Sequence, residues 1–424
     1  MKRLLALMLC VALLVPAGTV WAETPKETIS ILWMTHWVQE SMDVMERRAK
    51  EWGEQNGYNV EIAFIAEADF EMKLVSAIES GSGPDIALFR ISLPVAYSDG
   101  LLEVTDVAEK LIAERGEFYE GNKAQCVVDD KWYCIPLYTI MSCLMYRSDI
   151  MEELGLEIPQ TYDELYEVCQ KIYDEMPSVY PLGEAIGKSR DGNTFVQNVL
   201  WSFGSELAGK DGKTVTFNSP ETLAGLEYIV SLYNAGFIPA GATAWDDSSN
   251  NKAWQAGQLA ITSNAPSVYY NMKSSGDPLA DVTQHVGWPA GPAGSSALVD
   301  NYGLSILNYT PHPEACKELI LYLTSDEVIR EFYTAGAGFQ FPVNPSLLDC
   351  EVFANPVISE AIALLDSAHA PGYPGPLTQA AAEVDAQYIM VDMVARVLAD
   401  GLSCQEALDE ATERIEQIYA KYYD

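Results

Sequence analysis

The sequence predicts an α/β fold that opens with a parallel sheet and extends over more than one domain. Strand-like and helical patterns alternate through residues 28–89 in the order β-α-β-α-β. Consecutive strands joined by helices run parallel, with right-handed crossovers. The chain has 424 residues, more than one hydrophobic core usually holds, so two or more domains are expected.

The first half of this pattern is a strand, a helix and a second strand. TISILWM, residues 28–34, is β-branched and apolar, as expected for a buried strand. NVEIAFI, residues 59–65, alternates like a second strand, and Gly57 before it supplies a helix stop. The apolar positions between them recur at helical spacing: Met42, Met45, Ala49 and Trp52.

The stretch GSGPDIALFRIS, residues 81–92, completes the pattern. It follows a helix whose apolar face is Phe70, Leu74, Ala77 and Ile78. Gly81 and Gly83 can end that helix, and Pro84 prevents its continuation. Residues 85–89 then form a third buried strand, which ends at Arg90.

Three loops meet at the carboxyl edge of this sheet, where open parallel sheets bind ligands. They are residues 35–37, 66–69 and 90–92. The candidate ligand residues in these loops are His36, Trp37, Asp69, Arg90 and Ser92. A structural ion pair remains an alternative role for Arg90, and packing at a helix start remains one for Trp37.

The remaining chain predicts a second region that starts near Arg147. SCLMYR, residues 142–147, predicts a strand, and Thr161 with Glu164 predicts a capping box at a helix start. Further predicted elements are a helix at 194–203, a hairpin at 207–217, a helix from Ser219, strands at 258–264 and 298–307, two helices from 313, and a last helix with a Ser403–Glu406 capping box.

Charge and the N-terminus indicate an exported protein that does not bind nucleic acid. Residues 1–22 combine Lys2 and Arg3, a short apolar run and a small-residue cleavage site, as signal peptides do. The run is shorter than a membrane-spanning helix needs, and the residue before Cys10 disfavours a lipoprotein anchor. The 61 acidic residues outnumber the 25 basic ones, giving a net charge of −36 that repels phosphate backbones.

The cysteines predict neither a metal site nor a cofactor. Seven remain beyond residue 22, no Cys-x-x-Cys occurs, and the four histidines are scattered. A three-residue turn at residues 129–131 would set Cys126 opposite Cys134 across a hairpin. An oxidising compartment would permit that disulfide, but both could equally be small buried residues.

Catalytic motifs are absent, whereas loop aromatics and polar groups suit a carbohydrate. No serine-hydrolase or zinc-protease signature occurs, and a pair of glycosidase carboxylates cannot be identified among so many acids. Sugars present C–H faces to aromatic rings and hydroxyls to polar groups, so a sugar site needs both. The candidates are Trp201, Trp245, Tyr269, Tyr302, Tyr373, Asp69, Asp246, Asn264 and Asn301, each with ordinary packing as the alternative.

The order of several phrases resembles the extracellular solute-binding proteins of ABC importers, in the carbohydrate-type, maltose-binding-protein-like branch. These phrases are SGSGPDIAL, GLLEVTD, VDDKWYCIPLYTIMSCLMYRSDIMEELGLEIPQTYDEL, GKTVTFNSPETLAGLEYIVSLYNAGFIP, WQAGQLAITSNAPSV, GWPAGPAG, VDNYGLSIL and LSCQEALDEATERI. The resemblance implies a two-lobe periplasmic-binding-protein fold, each lobe a sheet flanked by helices, with a ligand cleft at the hinge. Residues 23–145 and 302–345 would form lobe 1, and 146–301 and 346–424 lobe 2.

The resemblance also implies positions for ligand contacts. They fall on Arg90 and Ser92, on Tyr138 and Thr139, on Asn264 and Tyr269, on Asn301 and Tyr302, and on Tyr373. The maltose-binding pattern has a tryptophan near Ser267, and its absence argues against maltodextrin specificity.

The sequence therefore predicts a monomeric, non-enzymatic carbohydrate-binding protein, periplasmic or extracellular, that delivers its ligand to the membrane subunits of an ABC importer by hinge closure. No cofactor or metal is expected. A binding protein for a sugar phosphate or polyamine and a secreted glycoside hydrolase remain the alternatives.

Overall fold

The computed structural model describes residues 26–36 and 38–423. The predicted signal peptide, residues 1–22, and the candidate Trp37 lie outside the described residues. Within the described part, no helix combines the length and apolar character needed to cross a bilayer.

Strands and helices alternate along the chain. The strands are β1 (Glu27–Met34), β2 (Tyr58–Ile65), β3 (Ile86–Arg90), β4 (Val127–Val128), β5 (Lys131–Trp132), β6 (Ile135–Met141), β7 (Cys143–Arg147), β8 (Tyr180–Leu182), β9 (Leu259–Asn264), β10 (Thr283–Val286) and β11 (Val299–Ile306). The helices of the first half are α1 (Gln39–Asn56), α2 (Glu67–Ser80), α3 (Leu93–Ala96), α4 (Thr105–Arg115), α5 (Glu120–Ala124), α6 (Ser148–Leu154), α7 (Tyr162–Glu175) and α8 (Arg190–Phe203). Those of the second half are α9 (Pro220–Asn234), α10 (Ser249–Gln255), α11 (Ser267–Ser275), α12 (Pro313–Leu323), α13 (Asp326–Ala335), α14 (Ser359–Ala363), α15 (Gln379–Ala386), α16 (Ile389–Leu398) and α17 (Cys404–Tyr423).

The first sheet has the strand order β2-β1-β3-β11-β6. Strand β1 runs parallel to β2 and β3, with Ile31 opposite Ile62 and Ile86, so the predicted β-α-β-α-β unit is confirmed. Strand β11 enters antiparallel between β3 and β6. Helices α1, α12 and α13 pack together beside this sheet, and we call the whole unit the first lobe.

The second sheet has the strand order β10-β7-β9-β8. Helices α8, α9, α16 and α17 pack against one another around it and form the second lobe. The α/β fold with two sheets flanked by helices is therefore confirmed. The chain leaves the first sheet at Ser142 and returns to it at Val299. Strands β7 and β11 therefore each belong wholly to one sheet. The expected lobe boundaries at 145/146 and 301/302 lie within these two strands.

The hairpin near Cys126 differs from its prediction. Its turn has two residues, Asp129 and Asp130, both at positive φ (49° and 61°), rather than three. A two-residue turn of type I′ requires this left-handed backbone at both residues, and aspartate tolerates it. The backbone of Cys126 therefore pairs with Tyr133, whose N–H donates to the Cys126 carbonyl at 2.9 Å, while the Cys126 and Cys134 thiols still contact each other. Both thiols are buried and free.

Both predicted capping boxes are present. Thr161 Oγ1 accepts from the N–H of Glu164 at 3.2 Å, and the Glu164 carboxylate accepts from the N–H of Thr161 at 3.2 Å. Ser403 and Glu406 make the same reciprocal pair before α17. Each pair satisfies amides that a helix start would otherwise leave without a partner.

Replacing Thr161 with alanine should lower the free energy of unfolding by about 1 kcal/mol, because the first turn of α7 loses its cap. Urea denaturation measures this loss. Thr161→Ser is the matched control, since it keeps the hydroxyl. Equal stability of the alanine and serine variants would contradict a capping role.

Candidate ligand-binding cleft

A cleft with a volume of about 850 Å³ lies between the two sheets. Both lobes contribute to its walls. Its lining is Met34, Thr35, His36, Ala66, Glu71, Arg90, Tyr138, Ile140, Ser142, Lys188, Arg190, Asp191, Thr194, Asp246, Asp247, Ser248, Asn251, Asn264, Ala265, Ser267, Leu298, Asp300, Tyr302, Phe339 and Tyr388.

The first lobe supplies an aromatic floor, which we define as His36, Tyr138, Tyr302 and Phe339. Tyr302 on β11 is in register with Arg90 on β3 and with Tyr138 on β6. The rings of Tyr138 and Tyr302 stack with centroids 4.7 Å apart and planes 7° apart. Adjacent strands thus hold these groups at one level, with Tyr138 fully buried beneath Tyr302, so that Tyr302 presents the ring face that a ligand can reach.

His36 adds hydrogen-bonding capacity to this floor. Its ring lies 5.9 Å from those of Tyr138 and Phe339. Burial lowers the pKa of His36 to about 4, so the ring is neutral at pH 7. Both ring nitrogens are buried, and no described residue hydrogen-bonds to them. A neutral imidazole carries one donor and one acceptor, which is the complement of a hydroxyl group.

The second lobe supplies a polar wall, which we define as Asp191, Thr194, Asp247, Asn251 and Asn264. These residues lie at the start of α8, before and within α10, and at the end of β9. Asp247 accepts the N–H of Asp191 at 2.8 Å, and the Asn264 amide donates to Asn251. The wall is therefore tied together by its own hydrogen bonds.

The pKa values of two wall-side carboxyls are shifted in opposite directions. Burial, and next the charge of Asp247, raise the pKa of Asp191 well above its usual range. Hydrogen bonds from Ser249 and Ser248 lower the pKa of Asp246 to about 2. Asp246 is thus a charged acceptor already engaged at the start of α10.

Six sequence-predicted residues line the cleft together: His36, Arg90, Tyr138, Asp246, Asn264 and Tyr302. The other described candidates do not line it: Asp69, Ser92, Thr139, Trp201, Trp245, Tyr269, Asn301 and Tyr373. For two of them the cause is the alternation of a strand. Thr139 and Asn301 directly follow and precede cleft-lining tyrosines, and they are fully buried, with Thr139 donating to the Asp300 carbonyl at 2.8 Å and Asn301 accepting from Asn122 at 2.9 Å.

Two more candidates contact each other. Trp201 is eleven residues beyond Arg190 on α8, roughly 16 Å along the helix axis, and its ring contacts Tyr373 with centroids 5.7 Å apart. Tyr373 itself stacks on His369 at 3.4 Å. Both aromatics therefore belong to a cluster at the far end of α8.

Of the last four candidates, three contact other protein groups and one is exposed to solvent. Ser92 donates to Asp385 at 3.1 Å, and Tyr269 packs edge-on against His285. Trp245 packs half-buried against the apolar core of the second lobe, and Asp69 is exposed on α2.

Several cleft-lining residues were not among the predicted candidates. Asp300 precedes the predicted Asn301 and lies on the cleft-facing side of β11. Arg190 and Asp191 open α8, whose start was predicted at residue 194. Tyr388 has φ +57°, a left-handed backbone that no sequence pattern announces for tyrosine.

Two α/β lobes that enclose an aromatic floor and a polar wall define a two-lobe binding protein. Residues 37–329 match the family model described as bacterial extracellular solute-binding protein. The chain belongs to this family.

The individual relatives and solved structures share about a quarter or less of their residues with this chain. A probable ABC transporter-binding protein of Deinococcus radiodurans is 26% identical over 300 residues, 68% of this chain and 70% of the relative. An arabinooligosaccharide-binding protein of Halalkalibacterium halodurans is 22% identical over 337 residues, 76% of this chain and 72% of the relative. A sugar transporter structure from Arthrobacter chlorophenolicus A6 with bound laminaribiose superposes with a TM-score of 0.80 at 19% identity, covering 92% of this chain and 99% of that one.

Proposed function

We propose that this protein captures a neutral mono- or oligosaccharide outside the cytoplasm and delivers it to an ABC importer by hinge closure. The observation that carries the proposal is the aromatic floor facing the polar wall across one cleft. A sugar ring presents a C–H face to the first and hydroxyls to the second. Binding involves no chemical step in this proposal.

The names of similar proteins support the same ligand class. They include an arabinooligosaccharide-binding protein and a sugar transporter with bound laminaribiose. A volume of about 850 Å³ also suits a ligand larger than a single sugar ring.

The domain organisation and location form part of the proposal. We place the lobe crossings at Ser142 and Leu298, with the chain returning between the lobes a third time after residue 345. Residues 1–22 are proposed as a cleaved signal peptide, which gives a periplasmic or extracellular monomer. Its partners are then the sugar and the membrane subunits of the importer.

A thermal-shift screen followed by calorimetry tests the proposal. The panel contains glucose, xylose, arabinose, laminaribiose, maltotriose, arabinooligosaccharides, glucose 6-phosphate and spermidine. A ligand that binds only the folded state raises the melting temperature, and we expect a neutral sugar to give the largest shift.

Salt dependence separates the ligand classes. The affinity for a neutral sugar should change by less than about twofold between roughly 0.05 and 0.5 M sodium chloride, because screening acts only on charged partners. A largest shift with glucose 6-phosphate or spermidine, weakened by salt, would replace the proposal with the charged-solute alternative. Release of shorter sugars from the oligosaccharides would indicate a hydrolase.

A further inference from the structure

A buried carboxylate outside the cleft lining links the two lobes. Asp385 on α15 is 5% exposed. It accepts hydrogen bonds from Arg190 Nη1 at 3.0 and 3.1 Å, Asn193 Nδ2 at 3.1 Å, Gln197 Nε2 at 2.7 Å and Ser92 Oγ at 3.1 Å. Its oxygens are therefore saturated by protein donors and leave no position for a ligand.

The donors come from both lobes. Arg190, Asn193 and Gln197 recur at spacings of three and four on α8, so one face of this helix points at Asp385. Ser92 precedes α3 of the first lobe. Helix α15 also packs against both α3 and α17. Asp385 on α15 thus lies where the first lobe and the second lobe meet.

Arg190 carries this link into the cleft. Its Nη2 pairs with Asp300 on β11 at 3.0 Å, and both residues line the cleft. Its side chain is 7% exposed, and the two carboxylates raise its pKa. A buried cation held between two fixed carboxylates has one favourable orientation, whereas loss of either partner leaves an uncompensated charge that can reorient toward other acids.

The polar wall contains two further acidic residues near Arg190. Asp191 is adjacent to Arg190 in sequence, and Asp247 caps the same helix start through the N–H of Asp191. Without Asp385, the guanidinium would keep only Asp300 and could turn toward this pair. Asn193 and Gln197 would each lose an acceptor in a buried position, which costs further free energy.

We infer that Asp385 is a positioning residue for ligand binding: it holds the Arg190 guanidinium against Asp300 in the cleft. The position of α15 thereby affects the affinity of the sugar site. The inference rests on the proposed function, because it assigns a residue that acts on the same site without touching the ligand. The affinity of the site should then depend on Asp385 only while Arg190 is present.

A double-mutant cycle tests this dependence. Asp385→Asn keeps the shape and removes the charge, and Arg190→Met removes the group it positions. The titrant is the panel sugar with the largest thermal shift, measured well below the melting temperature of each variant. We expect Asp385→Asn to weaken binding about tenfold in the wild-type background and less than about twofold in the Arg190→Met background. The exposed Asp409→Asn is the matched control and should bind like wild type.

A second measurement needs no ligand. Hydrogen–deuterium exchange of peptides covering residues 187–197 should be faster in Asp385→Asn than in wild type and unchanged in Asp409→Asn. If no panel sugar binds wild type, the proposed function fails, and this exchange alone decides the positioning role. Equal affinity losses in both Arg190 backgrounds, or unchanged exchange over 187–197, would overturn the inference.

Discussion

Replacing Tyr302 with alanine is expected to weaken sugar binding by at least about tenfold, or about 1.4 kcal/mol. Tyr302 lies at the centre of the aromatic floor, in register with Arg90 and Tyr138. Removing its ring takes away the stacking surface and also the neighbour that holds Tyr138 flat at 4.7 Å. Isothermal titration calorimetry with the best panel sugar measures the loss.

Two variants control this prediction. Tyr302→Phe keeps the ring and should retain most of the affinity. Tyr373→Ala removes an aromatic that stacks on His369 and does not line the cleft, so its affinity should equal that of wild type. A larger loss in Tyr373→Ala than in Tyr302→Ala would place the sugar outside the proposed floor.

Stability should fall with rising pH through the buried carboxyl of Glu184. This side chain is 1% exposed and binds Ser263 through the N–H at 2.6 Å and the hydroxyl at 2.5 Å. Burial raises its pKa from 4.5 to about 8. The folded state therefore holds the proton more tightly than the unfolded state, so its contribution to stability is complete below pH 4.5 and is lost as pH rises toward 8.

The size of this effect follows from the difference in bound protons. Relative to Glu184→Gln, the free energy of unfolding of wild type should fall by up to about 1.4 kcal/mol per pH unit between pH 5 and 8. Burial lowers the pKa of His36, His285 and His369 to about 4, which acts in the opposite direction but cancels in the comparison. Urea denaturation at pH 5, 6, 7 and 8 measures the slope.

An exposed carboxyl provides the contrast. Glu406→Gln alters a helix cap outside the core and should leave the slope of wild type intact. Parallel pH profiles for wild type and Glu184→Gln would show that Glu184 ionises normally in the folded protein.

The first sheet could be predicted because its signals are local. Each early strand is an apolar run, and each helix between them ends at a glycine with positive φ, Gly57 or Gly81. The capping boxes are equally local. A structural preference set by a few neighbouring residues is realised in the folded protein when the tertiary contacts favour the same structure.

The cleft was harder to predict because its strands are buried on both faces. Seven of the eight residues of β11 are buried, so apolar alternation does not reveal which face meets the cleft. The predicted Asn301 was therefore one residue away from Asp300 and Tyr302, which do line it. For the same reason, Thr139 was predicted to contact the ligand together with its neighbour Tyr138, although only Tyr138 lines the cleft.

The Arg190–Asp385 link had no sequence signal at all. The two residues are far apart in the chain and meet only through tertiary packing of α8 and α15. Trp201 was predicted to contact the ligand but packs in the core, because an aromatic side chain on a mostly buried helix can serve either role.

A crystal structure of the protein with the panel sugar that gives the largest thermal shift tests the central claim most directly. The account predicts one sugar ring packed on Tyr302, with its hydroxyls bonded to His36 and to Asp191, Asp247 or Asn264 across the cleft. A sugar bound anywhere else, or bound in this cleft without contact to the aromatic floor, would contradict it.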